Sequence, residues 1–479
     1  MAAPELDCMF RPSSVAIAGV SGRESVPPGG GQRFLKAVLD FGFKGDVYAV
    51  NPKGGELGGL TMYRSIREIP GPLDYVISCV PASATPALMQ DCVDRGVKVF
   101  HCFSSGFAES GTEEGRRLQE TLLSLARGGG VRMLGPNCLG VYCPAAGLSF
   151  LGGLARESGH VSLLSQSGGN ATFLVREAAR RGVRFSKVVS YGNAADVDES
   201  DLLEYFAADA DTDVVLAYVE GVKDGRRFGR VLRDVARAKP VAVLKAGASE
   251  TGAEAAASHT GALSGADAVW AALLHQAGAI RVAGLEELVD MALAFSSLPP
   301  ELGNRVGVIG IGGGMAVLAG DECSTAGLTL PRFDTALRRR MARLLGTEAG
   351  TILTNPVDLA YEVWGSGVRA IVEALKELDA VDFTMVHFPV GLSVISTAEF
   401  SGMWDRLVED LVTARKETGS TLIAVAHVPS SATDYEWMLR MQESCAGVGI
   451  PVFHSVGSAA RAVDRLRRYR ERRVELSDA

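Results

Sequence analysis

One arrangement recurs along these 479 residues: a short apolar run rich in β-branched residues, a turn of glycine and small polar residues, then a stretch whose apolar positions fall three or four apart. SVAIAGVSG leading to RFLKAVLDFGF, GHVSLLSQSGG leading to NATFLVREAARRG, and RVGVIGIGGGMAVLAGDECSTAGL all carry it. An apolar run of about five residues that ends in glycine reads as a strand buried on both faces, and the 3.6-residue period behind it reads as a covering helix. Repeated, the pair leaves little besides parallel sheets flanked by helices, because parallel neighbours need a crossover connection. The expected fold is therefore α/β, with three Rossmann-like or flavodoxin-like parallel-sheet domains, a number the chain length accommodates. SSLPPELGNR is the clearest linker, and the segments expected are 1–145, 146–298 and 299–479. They share the strand-helix rhythm but no repeat unit of 20–50 residues.

Composition closes off other classes. Lys and Arg number 48 against 56 Asp and Glu, a net charge of −8, so there is no cationic surplus for gripping a nucleic-acid backbone. The basic run LRRYRERR reads as the solvated end of a helix. Eight cysteines lie scattered without a CxxC pair or a metal-ligand spacing, which predicts reduced thiols and no metal centre. The start MAAPELDCMFRPSSVAIAGVSG has no basic segment leading into a long apolar one, and no window holds about 18 uninterrupted apolar residues. A soluble, cytoplasmic protein is expected, with no membrane partner.

In parallel sheets ligands sit beyond the carboxyl ends of the strands. In the first segment those ends carry Ser21, Gly22, Asn51, Pro52, Lys53, Pro81 and Ser104 to Phe107. The opening turn is not GxGxxG, so a strict dinucleotide fingerprint is missing, yet a nucleotide fits there. In the second segment Ser165, Gln166, Ser167, Gly168 and Gly169 open a helix whose unpaired amides, with about half a positive charge, form an anion site. Gly312, Gly313 and Gly314 open a helix of the third segment in the same way.

Glu220 ends the strand-like VVLAYVEG. Further on, KAGASETGAEAAASHTGALSGADAVW holds one histidine, His259, among residues of almost no bulk, and its middle reads as a mobile loop. A neutral imidazole is a nucleophile and could accept a phosphoryl group once a carboxylate orients its second nitrogen. Histidines more often serve structure, as His387, His427 and His454, in or beside apolar runs, are expected to do.

SHTGALSG, with KAG before it and QAGAIRVAGLEELVD after it, resembles the phosphohistidine segment of the NDP-forming acyl-CoA synthetases, relatives of succinyl-CoA synthetase. GVSG, VNPK, VPA, SSGFAE and GPNCLG occur in the order of that family's CoA-binding domain, and NPVDL, FTMVHFP and LIAVAHVP match in order further on. The resemblance spans nearly the whole chain and is to the α-subunit-like half: a CoA-binding domain followed by two succinyl-CoA synthetase-like ligase domains. It implies that Ser21, Gly22, Lys53, Pro81, Ser105, Gly106 and Asn137 face coenzyme A. It also implies that Glu220 holds the Nδ1–H of His259 and that the helix starts at Gly168 and Gly313 cradle the phosphoryl group. Asn193, Asp196 and Asp198 match the family string too and are expected to shape a loop. The family's Thr-Asn pair ahead of the last glycines is here Gly310-Ile311.

The reaction so implied joins a small carboxylic acid to CoA, driven by ATP or GTP, with His259 ferrying phosphoryl between two sites. No stretch reads as an ATP-grasp portion for nucleotide and Mg²⁺, so a β-type partner carrying one is expected, in a hetero-oligomer, with a homodimer as the other possibility. Two further readings stay open: a CoA-binding regulatory protein without turnover, and an acyl or carbamoyl transferase on the same scaffold.

Overall fold

Valine, isoleucine, leucine and alanine fill the strands of this protein on both faces, as parallel sheets sandwiched between helices require. A computed structural model describes residues 3–22, 30–260, 265–346, 350–359, 364–388, 397–427, 429 and 431–477. The first sheet has seven strands: β1 (Ser14–Ala18), β2 (Asp46–Val50), β3 (Gly55–Leu57), β4 (Leu60–Tyr63), β5 (Tyr75–Ser78), β6 (Val99–Cys102) and β7 (Arg132–Leu134). Their order is β3-β4-β2-β1-β5-β6-β7. The second contains β8 (Gly140–Tyr142), β9 (Val161–Ser165), β10 (Phe185–Ser190), β11 (Val214–Val219), β12 (Val241–Lys245) and β13 (Ile280–Val282), ordered β13-β12-β11-β9-β10-β8. The third contains β14 (Val306–Gly310), β15 (Val357–Asp358), β16 (Phe383–Phe388), β17 (Leu422–Ala426) and β18 (Val452–Phe453), ordered β15-β14-β16-β17-β18. Pairing is parallel except between β3 and β4 and between β8 and β10.

Without β3, β4 and β8, all three sheets are wound alike. The first strand lies between the second and the third, and the fourth and fifth follow outward, the flavodoxin-like order 2-1-3-4-5. The chain leaves strands one and three in opposite directions, which opens a crevice at their carboxyl ends. Those crevices lie between β1 and β5, β9 and β11, and β14 and β16.

The chain forms two compact units. Residues 1–176 with 184–288 hold the first two sheets, and residues 177–183 with 289–479 hold the third. In the first unit, Ala16, Val76, Phe100 and Met133 of the first sheet pack with Met89, Leu122 and Ala126 of its helices. In the second, Ile309, Val386, Phe388 and Ala424 pack with Val372, Leu411 and Trp437.

One expectation is corrected. The small-residue stretch ahead of His259 is not a loop: residues Glu250–Thr260 form a helix. Alanine has the highest helix propensity of any residue, so the run Ala253 to Ala257, broken only by Glu254, favours a helix despite its lack of bulk. Ser249 caps the start by accepting the Gly252 amide at 3.1 Å.

Candidate active site

The carboxyl ends of β9 and β11 are joined through Gln166, which is buried. Its amide oxygen accepts from the backbone N–H groups of Glu220 and of Gly221, the latter at 3.1 Å, and its amide nitrogen donates to Gly221 O, also at 3.1 Å. Ser165 donates to Ser167 O at 2.7 Å and accepts from Ser167 N at 3.2 Å, which closes the turn that opens the helix Gly168–Arg180. A Cβ at Gly168 would collide with Leu139, so glycine lets the helix start lie against the chain leaving the first sheet.

Glu220 is buried and accepts from the Tyr218 hydroxyl at 3.3 Å. Lys245, at the end of β12, is also buried, with its ammonium 5.3 Å from the centre of the Trp270 ring. Burial lowers the Lys245 pKa, while Asp267 and Glu220 act against that shift. A buried lysine that feels Glu220 was not singled out from sequence; its place as the last residue of an apolar strand was the available signal. His259 lies in the last turn of its helix, and its side chain falls outside the described residues, as do residues 261–264 that follow it.

A cavity of about 180 Å³ opens at this end of the second sheet, lined by Phe103, Asn137, Cys138, Leu139, Gln166, Ser167, Gly168, Gly169, Gly192 and Asn193. It brings Asn137, from the first sheet's edge, together with four of the five residues of the SQSGG turn. Asn137 has a positive φ of 59°, a conformation asparagine tolerates, and its amide donates to Ser104 O at 3.0 Å. Gly192 packs its Cα against the carbonyls of Pro136 and Asn137, where any side chain would collide.

The remaining first-sheet residues line up along the strand ends. Asn51 ties β1 to β2, donating to Val20 O at 2.6 Å and accepting from the Lys53 amide at 2.8 Å, while Lys53 itself is exposed. Ser21 O accepts from Gln32 at 2.8 Å, and Gly22 and Pro81 are exposed. Ser105 and Gly106 are exposed as well, but the Gly106 amide already donates to Glu109 at 2.6 Å. Glu109 thus fills the anion position that the glycine turn offers. In the third sheet the Gly312 amide is likewise taken, by Asp358 at 2.7 Å, and Gly313 and Gly314 are exposed at the start of the helix Gly313–Thr325.

Asp196 and Asp198 hold structure. Asp196 accepts from Met133 N at 2.8 Å and pairs with Arg132 at 3.0 Å, and Asp198 caps the helix Glu199–Ala208 in a reciprocal capping box with Asp201. Behind the cap, burial and then Asp198 push the Glu199 carboxyl up to about 7. His387 is buried at the end of β16, where burial pushes its imidazole down to about 4; it sits where a Cβ on Gly310 would be.

Two larger hollows, of about 270 and 760 Å³, lie at the amino ends of strands, the first beside Phe383 and Thr421 and the second beside Lys98 and Arg132. Of the residues named from sequence they hold only Asp196, which is tied up with Arg132, and they lie at the wrong edge of the sheets for this architecture. No helix of the described residues is long and apolar enough to cross a membrane. Among the same residues no group of three or more His, Cys, Asp or Glu could hold a metal ion.

Comparison with known proteins places this arrangement. Residues 13–144 match a CoA binding domain and residues 158–295 a succinyl-CoA ligase like flavodoxin domain. The acetate–CoA ligase [ADP-forming] I subunit alpha of Pyrococcus furiosus is 42% identical over 330 residues, 68% of this chain and 71% of the relative. Acetate–CoA ligase [ADP-forming] I of Archaeoglobus fulgidus is 35% identical over 97% of this chain, which spans 64% of that longer relative. Among solved structures, the dinucleotide forming acetyl-coenzyme A synthetase 1 of Ca. Korarchaeum cryptofilum, in complex with phosphate and ADP, superposes with a TM-score of 0.83 at 29% identity. That likeness covers 99% of this chain and 98% of the other. A second alpha subunit from Pyrococcus furiosus, of acetate–CoA ligase [ADP-forming] II, is 34% identical over 87% of this chain and 88% of its own length. On this footing the chain belongs to the family of the ADP-forming acetate–CoA ligases.

Proposed function

We propose that this chain is the α-type part of an ADP-forming acid–CoA ligase, in which His259 is phosphorylated and hands its phosphoryl group to a carboxylic acid before CoA displaces it. The observation that carries this reading is the Gln166 bridge. It ties the backbone of Glu220, whose carboxylate is buried, one strand away from the amide-rich start of the helix Gly168–Arg180, and that helix start lines the cavity that also contains Asn137. Glu220 would hold the Nδ1–H of His259, leaving Nε2 as the nucleophile. The amides at Gly168 and Gly169 would stabilise the phosphoryl oxygens through oriented N–H dipoles that need no rearrangement during transfer. Gly313 and Gly314, at a helix start of the third sheet, would offer a phosphate amides of the same kind.

Coenzyme A would lie across the first sheet's strand ends, from Lys53 past Ser21, Gly22, Pro81, Ser105 and Gly106 to Asn137. The carboxyl oxygen attacks the phosphoryl group of His259, giving an acyl phosphate and restoring the imidazole. The CoA sulfur then attacks the acyl carbon, its proton is lost, and phosphate leaves. ATP or GTP with Mg²⁺ would be bound by an ATP-grasp portion supplied by a partner in a hetero-oligomer. The boundaries we assign to the three functional parts are 1–145, 146–298 and 299–479, in a soluble cytoplasmic enzyme.

The test is incubation with γ-labelled ATP and the ATP-grasp partner. We expect acid-labile, base-stable label on the chain, no label on His259→Ala, and labelling slowed by roughly a hundredfold or more in Glu220→Gln. Label that persists in His259→Ala would refute the carrier assignment. The competing regulatory reading predicts CoA binding with no label on any variant.

A further inference from the structure

Asn193 is held at almost every polar atom. Its backbone N–H donates to Pro136 O at 3.0 Å, and its backbone carbonyl accepts from the Lys223 ammonium at 3.0 Å. Its side-chain nitrogen donates to Glu109 Oε2 at 2.5 Å and to Gln119 Oε1 at 3.1 Å. A carboxylate can only accept, so the contact with Glu109 fixes which end of the amide is nitrogen. Glu109 is itself anchored, its other oxygen accepting from Gly106 N at 2.6 Å and Phe107 N at 3.1 Å. The one atom left over is Asn193 Oδ1, which is buried and has no hydrogen-bond partner among the described residues. Asn193 is 5% exposed and lines the 180 Å³ cavity.

A buried acceptor without a donor is costly, and native structures carry few of them. Its chemistry selects the group that completes it. A bare amide oxygen repels phosphate and carboxylate oxygens, whereas the amides at the start of the helix Gly168–Arg180, on the same cavity, attract them. The matching group is a neutral N–H donor carried on an apolar arm, because Phe103, Cys138 and Leu139 supply apolar wall beside it. A pantetheine arm has that form: its last amide N–H stands two methylenes from the sulfur. The path has the right extent, since four inter-strand steps separate the end of β2, at Lys53, from the end of β7, at Asn137, or about 19 Å.

We propose that Asn193 Oδ1 accepts the hydrogen bond of the cysteamine-side amide N–H of coenzyme A. It thereby sets how far the thiol reaches toward the helix start at Gly168. This rests on the proposed function, and it adds a CoA-contacting residue contributed by the second sheet rather than by the CoA-binding domain.

The experiment is calorimetric titration of the intact chain with CoA and with two analogues, each replacing one pantetheine amide by an ester. We expect the cysteamine-side ester to bind roughly ten- to a hundredfold more weakly than CoA and the other ester to bind almost as well as CoA. In Asn193→Ala, CoA and the cysteamine-side ester should bind equally. The comparison of ligands on the unaltered chain stands by itself if that variant does not fold. Equal binding of CoA and the cysteamine-side ester to the unaltered chain overturns the assignment of Asn193 and leaves the ligase reading intact. Failure of CoA itself to bind overturns both.

Discussion

Gly310 and His387 are one decision made at two positions. The imidazole lies over the end of β14 in the space that a Cβ of residue 310 would fill, and its Nδ1 is buried with no hydrogen-bond partner among the described residues. Gly310→Ala should therefore cost about 1–3 kcal/mol in urea unfolding, because a buried ring cannot retreat. Paired with His387→Ala, the same change should cost less than the sum of the two single changes. Unfolding of Gly310→Ala at the parent's urea concentration would show that the ring has room to shift. Gly310 leaves room at the end of β14 for His387, the next-to-last residue of β16, whose ring takes up that volume. Sequence alone could not show this, since residues 310 and 387 meet only through sheet pairing. The same holds for Asn193, whose partners Glu109 and Gln119 stand on helical segments flanking the first sheet, whereas SQSGG and GPNCLG were legible because their chemistry lies in consecutive residues.

At the scale of elements, the helix Glu199–Ala208 joins two requirements. Asp198 and Asp201 close its capping box, and both also pair with Arg227, at 3.3 and 2.5 Å. The cap places the Glu199 carboxyl in the interior beside like charge, and it is held up to about 7 from an ordinary 4.5. The folded chain then keeps a proton that the unfolded chain releases, so this group's contribution declines as pH rises from about 4.5 through about 7 and is constant above that. The shift corresponds to at most about 3 kcal/mol. Glu199→Gln, which cannot ionise, should flatten that part of the stability profile between pH 5 and 8 and raise the midpoint at pH 8. Parallel profiles for parent and variant would mean that the carboxyl reaches water. Strands were the elements most readable in advance, since runs such as VSLLS and VAVLK are buried at every position. The helix around His259 was not, because glycine, serine and threonine flank its alanines and lack of bulk reads as mobility in sequence.

For the whole molecule, the three-sheet architecture followed from the strand-turn-helix rhythm, but the shared winding did not, since strand order depends on which side each crossover takes. Nor did the strand β8. It begins at Gly140, shortly after Asn137, lies ahead of the short helical turn at Pro144–Ala146, and runs antiparallel along β10, pairing Val188 with Tyr142, Val189 with Val141 and Ser190 with Gly140. That border strand has a practical consequence for anyone cutting the polypeptide into pieces. A fragment beginning at residue 146 would leave β10 with a bare row of backbone donors and acceptors, a template for sticking to its neighbours. Beginning at Gly140 instead keeps the selvedge attached, so the shorter fragment should elute from a sizing column as aggregate while the longer one elutes as a discrete species.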